Sequence, residues 1–534
     1  MTQEITRREA LQIGLGAIAL GASYGKEPRA ESIAVWGQPD QSIYPPNFFR
    51  PGQSFYKVLE IHLYGGMSPW ETFYHRPLPG GLGYRGFETG ASEVVTALNW
   101  HDNSGAVPNL CALAPSAGET REFSTTGGES VHFGPSTKPL WETGLLDRTC
   151  LIVLQHNLLP HEAAIPYAAT GSRLGQPRLA GLGAAIQRRA IAVEQAGGGS
   201  RTVPWSYVLE PTNLFANDNI DAFKATGQHP GVCKPVTLQI GGGGLVGRLQ
   251  NRRKIRSLVQ DDLLKFYRDE YQRMLSYPGH AERARSIGFD NYVASLENTL
   301  NAEQLASQLN GAIVPLGLDR ACVSPGEVQP MAALNQPAAG LRSAARLLSQ
   351  HLTPAHYVCV IDGGLKAALS GGGYDTHNDF HSSLTSTNLW NVLATLRQLI
   401  DTGELDLDST LIVLTTEFGR TPYRSGGGQP SPLSDGRDHW PQGYVSALIG
   451  GPLKSRRILG RILDGNLSGG SAAENGIADP GNVFNATDVR AAALLAAGID
   501  PFAEGLFGGA DVSIPFRGPD NIATAGNIAK RFFG

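Results

Sequence analysis

"STLIVLTTEFG", residues 409–419, decides the fold of this chain. An uninterrupted apolar run enters Thr415 and Thr416 and ends at Glu417. Such a run is typical of a strand that is buried on both faces of a parallel sheet. An ionised carboxylate at the end of a buried strand requires a cation, and the sequence offers either a structural ion pair with Arg420 or a bound metal ion.

Four other runs share this pattern of apolar and β-branched residues that end at glycine or polar residues. They are "FYKVLEIHLYGG" (55–66), "RTCLIVLQH" (148–156), "HYVCVIDGG" (356–364) and "YVSALIGG" (444–451). Helical patterns lie at 178–195, 388–403 and 485–500, and Asn485 or Thr487 is available to cap the last one. The alternation predicts an α/β fold in which a doubly wound, mostly parallel sheet lies between helices.

The pattern of strands is interrupted once, between two halves of the predicted sheet. Residues 251–312 have the pattern of long, charged amphipathic helices without strand signals, so we predict a helical insertion there. The first half of the α/β domain is expected at 50–250. The second half, which carries the candidate metal ligands, is expected at 340–515.

Residues 1–30 have the pattern of a twin-arginine (Tat) export signal. Arg7 and Arg8 precede a weakly hydrophobic run, rich in glycine and alanine, that is too short to span a bilayer stably. No later segment reaches transmembrane length without charges. We therefore expect an exported protein, periplasmic or extracellular, with no transmembrane segment in its mature form.

Charge and cysteine usage exclude two kinds of site. The formal net charge is −4, only 17% of the residues are charged, and no block of Lys and Arg occurs, so a nucleic-acid partner is not expected. No Cys-x-x-Cys pair occurs, which argues against a thiolate zinc site. The odd number of cysteines leaves at least one thiol free even if disulfides form: Cys111, Cys150, Cys233, Cys322 and Cys359.

The richest polar block is "SGGGYDTHNDFHSSL", residues 370–384. Asp375 and His377 follow three glycines after a predicted strand, and His381 lies four residues further on. A carboxylate and imidazoles are ligands that zinc, manganese and iron accept. The alternative is a turn in which Asp375 caps a helix and the histidines are solvated.

Two more histidines lie near predicted strand ends. In "SDGRDHWPQGYVSALIGG" (434–451), His439 precedes a strand and Asp438 could orient it. In "QHNLLPHEAAIPYAATG" (155–171), His161 begins a helical pattern, where it is a reacting group, a metal ligand or simply a polar residue. The carboxyl ends of parallel strands meet at one edge of a sheet, so we expect these side chains to converge.

The predicted strand in "EIHLYGGMSPWETFYHRP" (60–77) ends in two glycines. Gly65 and Gly66 either bring backbone N–H groups towards a ligand oxygen or form a simple tight turn. His62, inside the strand, is interpreted as a core histidine that already has its partners.

Four motifs in this order resemble the domain-of-unknown-function 1501 (DUF1501) family, the sulfatase-like branch of the alkaline phosphatase superfamily. They are "GGGYDTHNDF", "TLIVLTTEFGRTP", "GRDHWPQGYVSALIGG" and "NATDVRAAALLAAGIDP", behind the twin-arginine leader and "GGMSPWETF". The resemblance covers most of residues 1–510 apart from the insertion. It implies a metal site at the carboxyl edge of a doubly wound sheet and hydrolysis of phosphate or sulfate esters or transfer of phosphoryl groups.

The resemblance also implies a set of metal ligands. Asp375, His377 and His439 correspond to the ligands of a first divalent transition metal ion, which is zinc, manganese or iron, with His381 as an alternative to His377. Glu417 corresponds to the carboxylate of a second metal site.

Two further residues correspond to catalytic positions. His161 stands at the nucleophile position, as nucleophile or acid/base, and Arg420 would steady the anionic ester, a small molecule or a polysaccharide. The chain departs from the superfamily at Tyr64, where an aspartate is usual, and at Phe418, where a histidine is expected. The missing aspartate supports an alternative to a hydrolase, a non-catalytic binding or assembly protein of the cell envelope. A metal-dependent redox protein, in which the histidines bind a redox metal, is a further alternative.

Overall fold

The computed structural model describes residues 35–75, 120–141, 144–172, 180–197, 208–212, 335–349, 355–365, 373–377, 381–422, 436–463 and 476–534, with short pieces between 223 and 273. The strands are β1 (Lys57–Leu63), β2 (Arg121–Ser124), β3 (Ser130–Phe133), β4 (Thr149–Leu154), β5 (Val208–Thr212), β6 (Val236–Thr237), β7 (Tyr357–Asp362), β8 (Thr410–Thr415), β9 (Gly419–Arg420), β10 (His439–Trp440), β11 (Tyr444–Gly450) and β12 (Arg457–Leu459).

The α-helices are α1 (Lys138–Trp141), α2 (His161–Thr170), α3 (Leu182–Ala196), α4 (Gln336–Ser349), α5 (His381–Asp401), α6 (Ala486–Ala496) and α7 (Asn521–Phe533). Asn485 caps α6 in a capping box with Asp488, as the sequence allowed. Short 3₁₀ turns are Gln41–Ile43, Pro135–Thr137, Leu145–Arg148, Pro480–Asn482 and Ile514–Phe516. Among the described helices, none combines the length and the apolarity needed to cross a membrane.

The central sheet is mostly parallel, and its strand order is β12-β4-β11-β8-β1-β7-β5-β6. β1 pairs in parallel with both β7 and β8, whereas β11 is antiparallel to both of its neighbours, β4 and β8. All residues of β4, β7, β8 and β11 are buried. The predicted α/β class with a mostly parallel sheet is confirmed, and β11 is the described strand of this sheet that runs against the others.

Each face of the sheet carries its own apolar core. Val58 packs in one core with residues of α3, α6 and α7. Its neighbour Leu59 packs in the other core with residues of α4 and α5. Because successive side chains of a strand point to opposite faces, Glu60 and His62 share the face of Val58, below α6.

Several sequence predictions fall wholly or partly outside the described residues. The twin-arginine segment at 1–30 lies outside them, and the insertion at 251–312 lies mostly outside them, although 262–267 and 269–270 are helical. The division into 50–250 and 340–515 therefore stays a prediction. Cys150 is free and buried, Cys359 is buried, and the other three cysteines lie outside the described residues.

Candidate metal centre

Four side chains converge at the carboxyl edge of the sheet and form what we call the metal cluster. His161, Asp375, His377 and His439 each offer a ligand atom, and these atoms lie within 4.8 Å of one another. His377 Nε2 is 2.8 Å from His439 Nε2 and 3.2 Å from Asp375 Oδ1. His161 Nε2 is 3.6 Å from Asp375 Oδ2. The convergence expected from the sequence is present.

These separations suit ligation of one metal ion. Nitrogen and oxygen donors about 2.0–2.1 Å from a tetrahedral zinc ion lie about 3.3 Å apart, which falls within the range observed here. His161 Nε2 is a buried atom without a hydrogen-bond partner among the described residues. A buried nitrogen that faces three other donors is the kind of group that a cation satisfies.

The three imidazoles are oriented from outside the cluster. Their Nδ1 contacts are His161 with Glu417 Oε1 at 2.9 Å, His377 with Asp438 Oδ1 at 3.4 Å, and His439 with the Leu159 carbonyl oxygen at 2.6 Å. Because these oxygens accept hydrogen bonds, Nδ1 carries the proton in each ring, and a neutral ring then directs the lone pair of Nε2 into the cluster. An outer acceptor of this kind is usual for metal-ligating histidines.

His161 reaches the cluster because it is the first residue of α2. Pro160 precedes it as the N-cap residue with extended backbone angles, and the helix ends at Gly171 with φ of 71°. Proline is well suited to the start of a helix because its φ is fixed and its missing N–H has no intrahelical partner. α2 follows β4, so its first turn lies at the carboxyl edge of the sheet.

Asp375 and His377 belong to the connection between β7 and α5, which is held against the end of β1. The Tyr374 N–H donates to the Tyr64 carbonyl oxygen at 2.8 Å. Gly65, with φ of 112°, lies so close to this connection that a Cβ there would overlap the backbone nitrogen of Asp375. The glycine is therefore required for close approach of the two segments. Its N–H donates to Glu417 Oε1 at 2.8 Å, so it binds a carboxylate of the chain itself.

His439 lies at this edge because of the direction of β11. The sequence placed His439 at the entry of a strand, on the wrong side of a parallel sheet unless the loop folded back. Since β11 is antiparallel to β8, its first residues lie at the carboxyl end of β8. The short pairing of β10 with β9 then sets His439 opposite Arg420.

Arg420 and Glu417 do not form the ion pair that the sequence offered as the simpler interpretation. Arg420 Nη2 donates to Asp375 Oδ1 at 2.6 Å, and its other contacts are the carbonyl oxygens of Gly65, Gly66 and Arg437. The Arg420 side chain is fully buried. This geometry favours a role in holding Asp375 rather than direct contact with a substrate.

Glu417 is not a member of the metal cluster but contacts one of its members, His161. Besides the contacts with His161 and the Gly65 N–H, its Oε2 is 3.1 Å from His62 Nε2. The carboxylate is fully buried, and both of its oxygens have partners. The structure therefore favours Glu417 as the residue that orients His161, instead of as a ligand of a second metal ion.

A chain of buried polar groups extends from Glu417 along one face of the sheet to α6. His62 Nδ1 and Glu60 Oε1 each lie 3.4 Å from Thr415 Oγ1. Glu60 in turn accepts two hydrogen bonds from Arg490, at 2.5 and 2.6 Å. His62 is thus a buried histidine with partners, as interpreted, but its partner is the residue that orients His161. Its place on the sheet face opposite Leu59 is a signal that strand periodicity could have supplied.

Hydrogen bonding and burial set the protonation states of the cluster. Burial opposes protonation of His161, but the nearby Asp375 and Glu417 carboxylates outweigh it and raise its pKa to about 9. Burial and then the positive charge of Arg420 lower the pKa of His439 to about 4. Burial opposes ionisation of Glu417, yet its hydrogen bonds with histidines hold its pKa well below the usual value.

Two facing imidazoles need an explanation. Burial lowers the pKa of His377 as well as that of His439, so both rings are neutral at neutral pH. With Nδ1 protonated in each, two lone pairs face each other at 2.8 Å. A shared cation stabilises such a pair, so the donor set fits a divalent transition metal ion.

Phe418 is a site residue that sequence reasoning treated only as a departure. Its ring is buried and packs against His439 and His161, with centroids 4.2 and 4.9 Å apart. Tyr64 also stacks with His161, with ring centroids 5.8 Å apart. Positions 64 and 418 therefore both hold aromatic rings that restrict the His161 imidazole.

A second polar group, which we call the Glu71 cluster, lies in the buried interior nearby. Glu71 accepts from Ser68 and lies 3.3 Å from His381 Nε2 and 3.7 Å from Arg437 Nη2. His381 Nδ1 is 2.5 Å from Thr376 Oγ1. His381 therefore does not replace His377 in the metal cluster, and Asp375 does not cap α5, which begins at His381.

The comparisons with known proteins identify the family. The model of the family described as "Protein of unknown function (DUF1501)" matches residues 56–505, which contain every residue of both clusters. The chain belongs to the DUF1501 family. No curated protein matches this DUF1501 chain significantly. One similar solved structure is the PsFucS1 sulfatase from Pseudoalteromonas sp., with 10% identity and a TM-score of 0.28 over 85% of this chain and 70% of that chain.

Proposed function

We propose that this DUF1501 protein is an exported metal-dependent hydrolase of phosphate or sulfate esters, built on a doubly wound sheet of the alkaline phosphatase and sulfatase type. The observation that carries the proposal is the direction of the three imidazoles. Each ring binds an outer acceptor through Nδ1 and turns Nε2 towards Asp375 and the other rings. The paired arginines at positions 7 and 8 support export through the twin-arginine pathway to the periplasm or the exterior.

The ligands we assign are His161, His377, His439 and Asp375. A divalent transition metal ion such as zinc, manganese or iron supplies Lewis acidity towards the anionic oxygens of a phosphate or sulfate ester. The imidazoles hold the ion through neutral nitrogens, and Asp375 contributes one negative charge. The net positive charge that remains in the site favours an anionic substrate, either a small ester or an esterified polysaccharide.

Substrate approaches from the side of His377. The His377 side chain is 33% exposed and that of Asp438 is 59% exposed, whereas those of Glu417 and Arg420 are fully buried. The exposed side is where an ester can enter, and the buried side is where Glu417 and Arg420 fix the ligands. Neither buried residue contacts the substrate in this assignment.

We assign His161 to metal ligation instead of nucleophilic attack. Its Nδ1 is directed at Glu417 and its Nε2 at the cluster, so neither nitrogen is available to form a bond with the ester. The residue still belongs to the reacting centre, and we expect its loss to abolish turnover.

One observation favours a second candidate, a non-catalytic metal-binding protein of the cell envelope. Four protein donors complete a tetrahedral shell, which is typical of structural sites, whereas catalytic zinc sites keep a position open. Manganese and iron accept larger shells, so the identity of the metal bears on this choice, and with either of them a redox role is the remaining alternative.

The test combines elemental analysis with ester turnover. Full-length protein from its native export route is expected to hold about one transition metal ion per chain and to cleave aryl phosphate or aryl sulfate esters. The variant His439→Ala is expected to lose both properties. His132→Ala, which removes a half-buried imidazole outside the metal cluster, serves as the matched control and should retain them.

The outcomes separate the candidates. Metal retention without turnover of either ester would leave the binding role or the redox role. Equal turnover by the wild type and His439→Ala, with equal melting temperatures, would remove the metal cluster from the mechanism. A folded wild-type protein with no bound metal ion after export would contradict the assignment of the ligands.

A further inference from the structure

A cavity of about 760 Å³ lies at the opposite end of α2 from the metal cluster. Tyr167 and Gly171, at the end of this helix, line it together with the segments 480–483 and 510–515 and with Arg517 and Arg531. No member of the metal cluster is among the lining residues. Ten helical residues extend about 15 Å, so the end of α2 at the cavity lies about that far from His161 along the helix.

Two arginines give the cavity a positive character. The Arg517 side chain is fixed by donation to the carbonyl oxygens of Val512 and Ala510, at 3.0 and 2.7 Å. Arg531 donates to the Pro515 carbonyl oxygen at 3.2 Å. Among the described residues, neither guanidinium forms an ion pair with a carboxylate, and the acidic residue of the lining is Asp511.

The two guanidiniums are also held rigidly. The Arg531 guanidinium lies 5.7 and 5.5 Å from the ring centroids of Phe484 and Phe516. Its remaining N–H groups have no hydrogen-bond acceptor among the described residues. Fixed guanidinium groups with unused N–H donors bind tetrahedral oxyanions with little loss of side-chain freedom.

The rest of the lining argues for a ligand larger than a single oxyanion. The cavity is in the size range of sites for small organic ligands. Tyr167 offers an aromatic ring, and Asn482 offers a side-chain amide that forms no hydrogen bond within the described part of the chain. A ring and amide donors and acceptors beside two guanidiniums suit a sugar that carries a charged ester group.

We propose that this cavity is a second, metal-independent anion-binding site that holds the sulfate or phosphate group of a charged saccharide between Arg517 and Arg531. The inference goes beyond the proposed hydrolase, because it uses none of the metal ligands and requires no turnover. The site holds an anionic chain at a distance from the metal cluster whether or not the cluster hydrolyses it.

The test is titration calorimetry of the full-length protein with dextran sulfate, with neutral dextran of the same length as the reference. Dextran sulfate is expected to bind and neutral dextran is not, and binding should weaken as salt is raised. Competition by inorganic sulfate and by inorganic phosphate then shows which oxyanion the site prefers. Arg531→Gln should weaken binding about tenfold, whereas Arg121→Gln, which removes an exposed arginine on β2, should not.

A matched pair of exposed isoleucines tests whether the anion binds in the cavity, and substitutions there leave the core undisturbed. Ile514 lines the cavity and is 76% exposed, whereas Ile522 is 53% exposed and lies outside the lining. Ile514→Glu should weaken binding of dextran sulfate about threefold, and Ile514→Lys should strengthen it by a similar factor. The same two changes at Ile522 should leave the affinity unchanged.

Three results would overturn the proposal. They are equal binding of dextran and dextran sulfate, equal effects at Ile514 and Ile522, and loss of binding in His439→Ala, which would place the anion at the metal cluster. Binding that survives in His439→Ala supports the cavity even if no ester is cleaved. Failure of the hydrolase assignment and failure of this proposal are therefore distinguishable.

Discussion

The metal cluster and the Glu71 cluster contain the same kinds of side chain in opposite arrangements. In the metal cluster, the neutral imidazoles of His377 and His439 direct Nε2 at each other, and His161 Nε2 has no hydrogen-bond partner among the described residues. In the Glu71 cluster, both nitrogens of His381 face an oxygen, and burial of the carboxylate is offset by His381 and Arg437. The first arrangement needs a cation from outside the chain, and the second supplies its own. Whether the imidazole nitrogens have oxygen partners, rather than residue type, distinguishes the two clusters.

The largest expected effect comes from replacing each of the two histidines of "DTHNDFH" (375–381) separately by alanine. His377→Ala removes a metal ligand and should lower metal affinity by about two to three orders of magnitude, since a four-ligand protein zinc site contributes about 10–16 kcal/mol in total. His381→Ala should leave metal affinity within about twofold of the wild type. Competition with a chelator of known affinity measures both.

The same pair of variants has the reverse effect on folding. His381→Ala leaves Glu71 buried with one partner fewer, which is expected to destabilise the fold by about 3 kcal/mol, whereas His377 is partly exposed. Urea unfolding of the metal-free proteins measures this difference. If His381→Ala lost the metal ion while remaining folded, the distinction between the two clusters would fail.

The second prediction concerns acid stability, because the Glu71 cluster is expected to depend on pH through its carboxylate. Burial opposes ionisation of Glu71, but His381 and Arg437 lower its pKa to about 2, from an ordinary value of 4.5. A lowered carboxylate pKa stabilises the fold above the unfolded-state value, and this stability is lost as pH falls from about 4.5 towards 2. The difference corresponds to about 3 kcal/mol.

Glu71→Gln should therefore be less stable than the wild type at pH 7 and show a flatter dependence between pH 5 and pH 2. Glu129→Gln, at an exposed position, is the control and should follow the wild-type curve. Unfolding midpoints in urea across this pH range provide the measurement. A wild-type curve that stays flat down to pH 2 would contradict an ionised Glu71 in the folded state.

The sequence predicted the fold and the convergence of the ligands better than their individual roles. Buried apolar runs locate β1, β4, β7, β8 and β11, and strand ends bring Asp375, His377 and His439 to one edge. The direction of β11 is not encoded in its apolar run, because a strand buried on both faces has the same pattern whether it is parallel or antiparallel.

The roles of Arg420 and Glu417 depend on contacts between distant parts of the chain. Their proximity in sequence favoured a local ion pair, but the turn after β8 directs Arg420 towards Asp375, 45 residues away. Similarly, the spacing of His377 and His381 gives no sign that one faces the cluster and the other faces Glu71. Whether a histidine of the β7–α5 segment faces the metal cluster or Glu71 depends on the direction in which its side chain points, and tertiary packing sets this direction.

A third prediction concerns Glu417. Both of its carboxylate oxygens have hydrogen-bond partners, and it orients His161, whose Nε2 has none among the described residues. Glu417→Gln keeps a hydrogen-bond acceptor for His161 Nδ1 but removes the negative charge. Loss of such an outer partner typically lowers metal affinity 10–100-fold. Glu404→Gln, remote from the metal cluster, should have no effect. Direct coordination by Glu417, if it occurred, would produce a loss as large as that of His377→Ala.

The last prediction is a pH dependence of metal affinity that the Glu71 cluster does not share. The pKa of His161 is raised to about 9 by the nearby Asp375 and Glu417 carboxylates, against the effect of burial. A metal ion binds the neutral ring, so binding at pH 7 displaces one proton. Affinity should therefore rise about tenfold per pH unit from pH 7 and level off above pH 9.

Calorimetry in buffers of different ionisation enthalpy counts the protons released on binding, and chelator competition gives the slope. Glu417→Gln removes a carboxylate that raises the pKa of His161, so its affinity should level off at a lower pH than in the wild type. Glu71→Gln should leave both the slope and its end point unchanged, since Glu71 contacts no ligand of the metal cluster. A slope of zero between pH 7 and pH 9 would mean that His161 is already neutral there, and the hydrogen bond from its Nδ1 to Glu417 would then fix the tautomer without holding an extra proton.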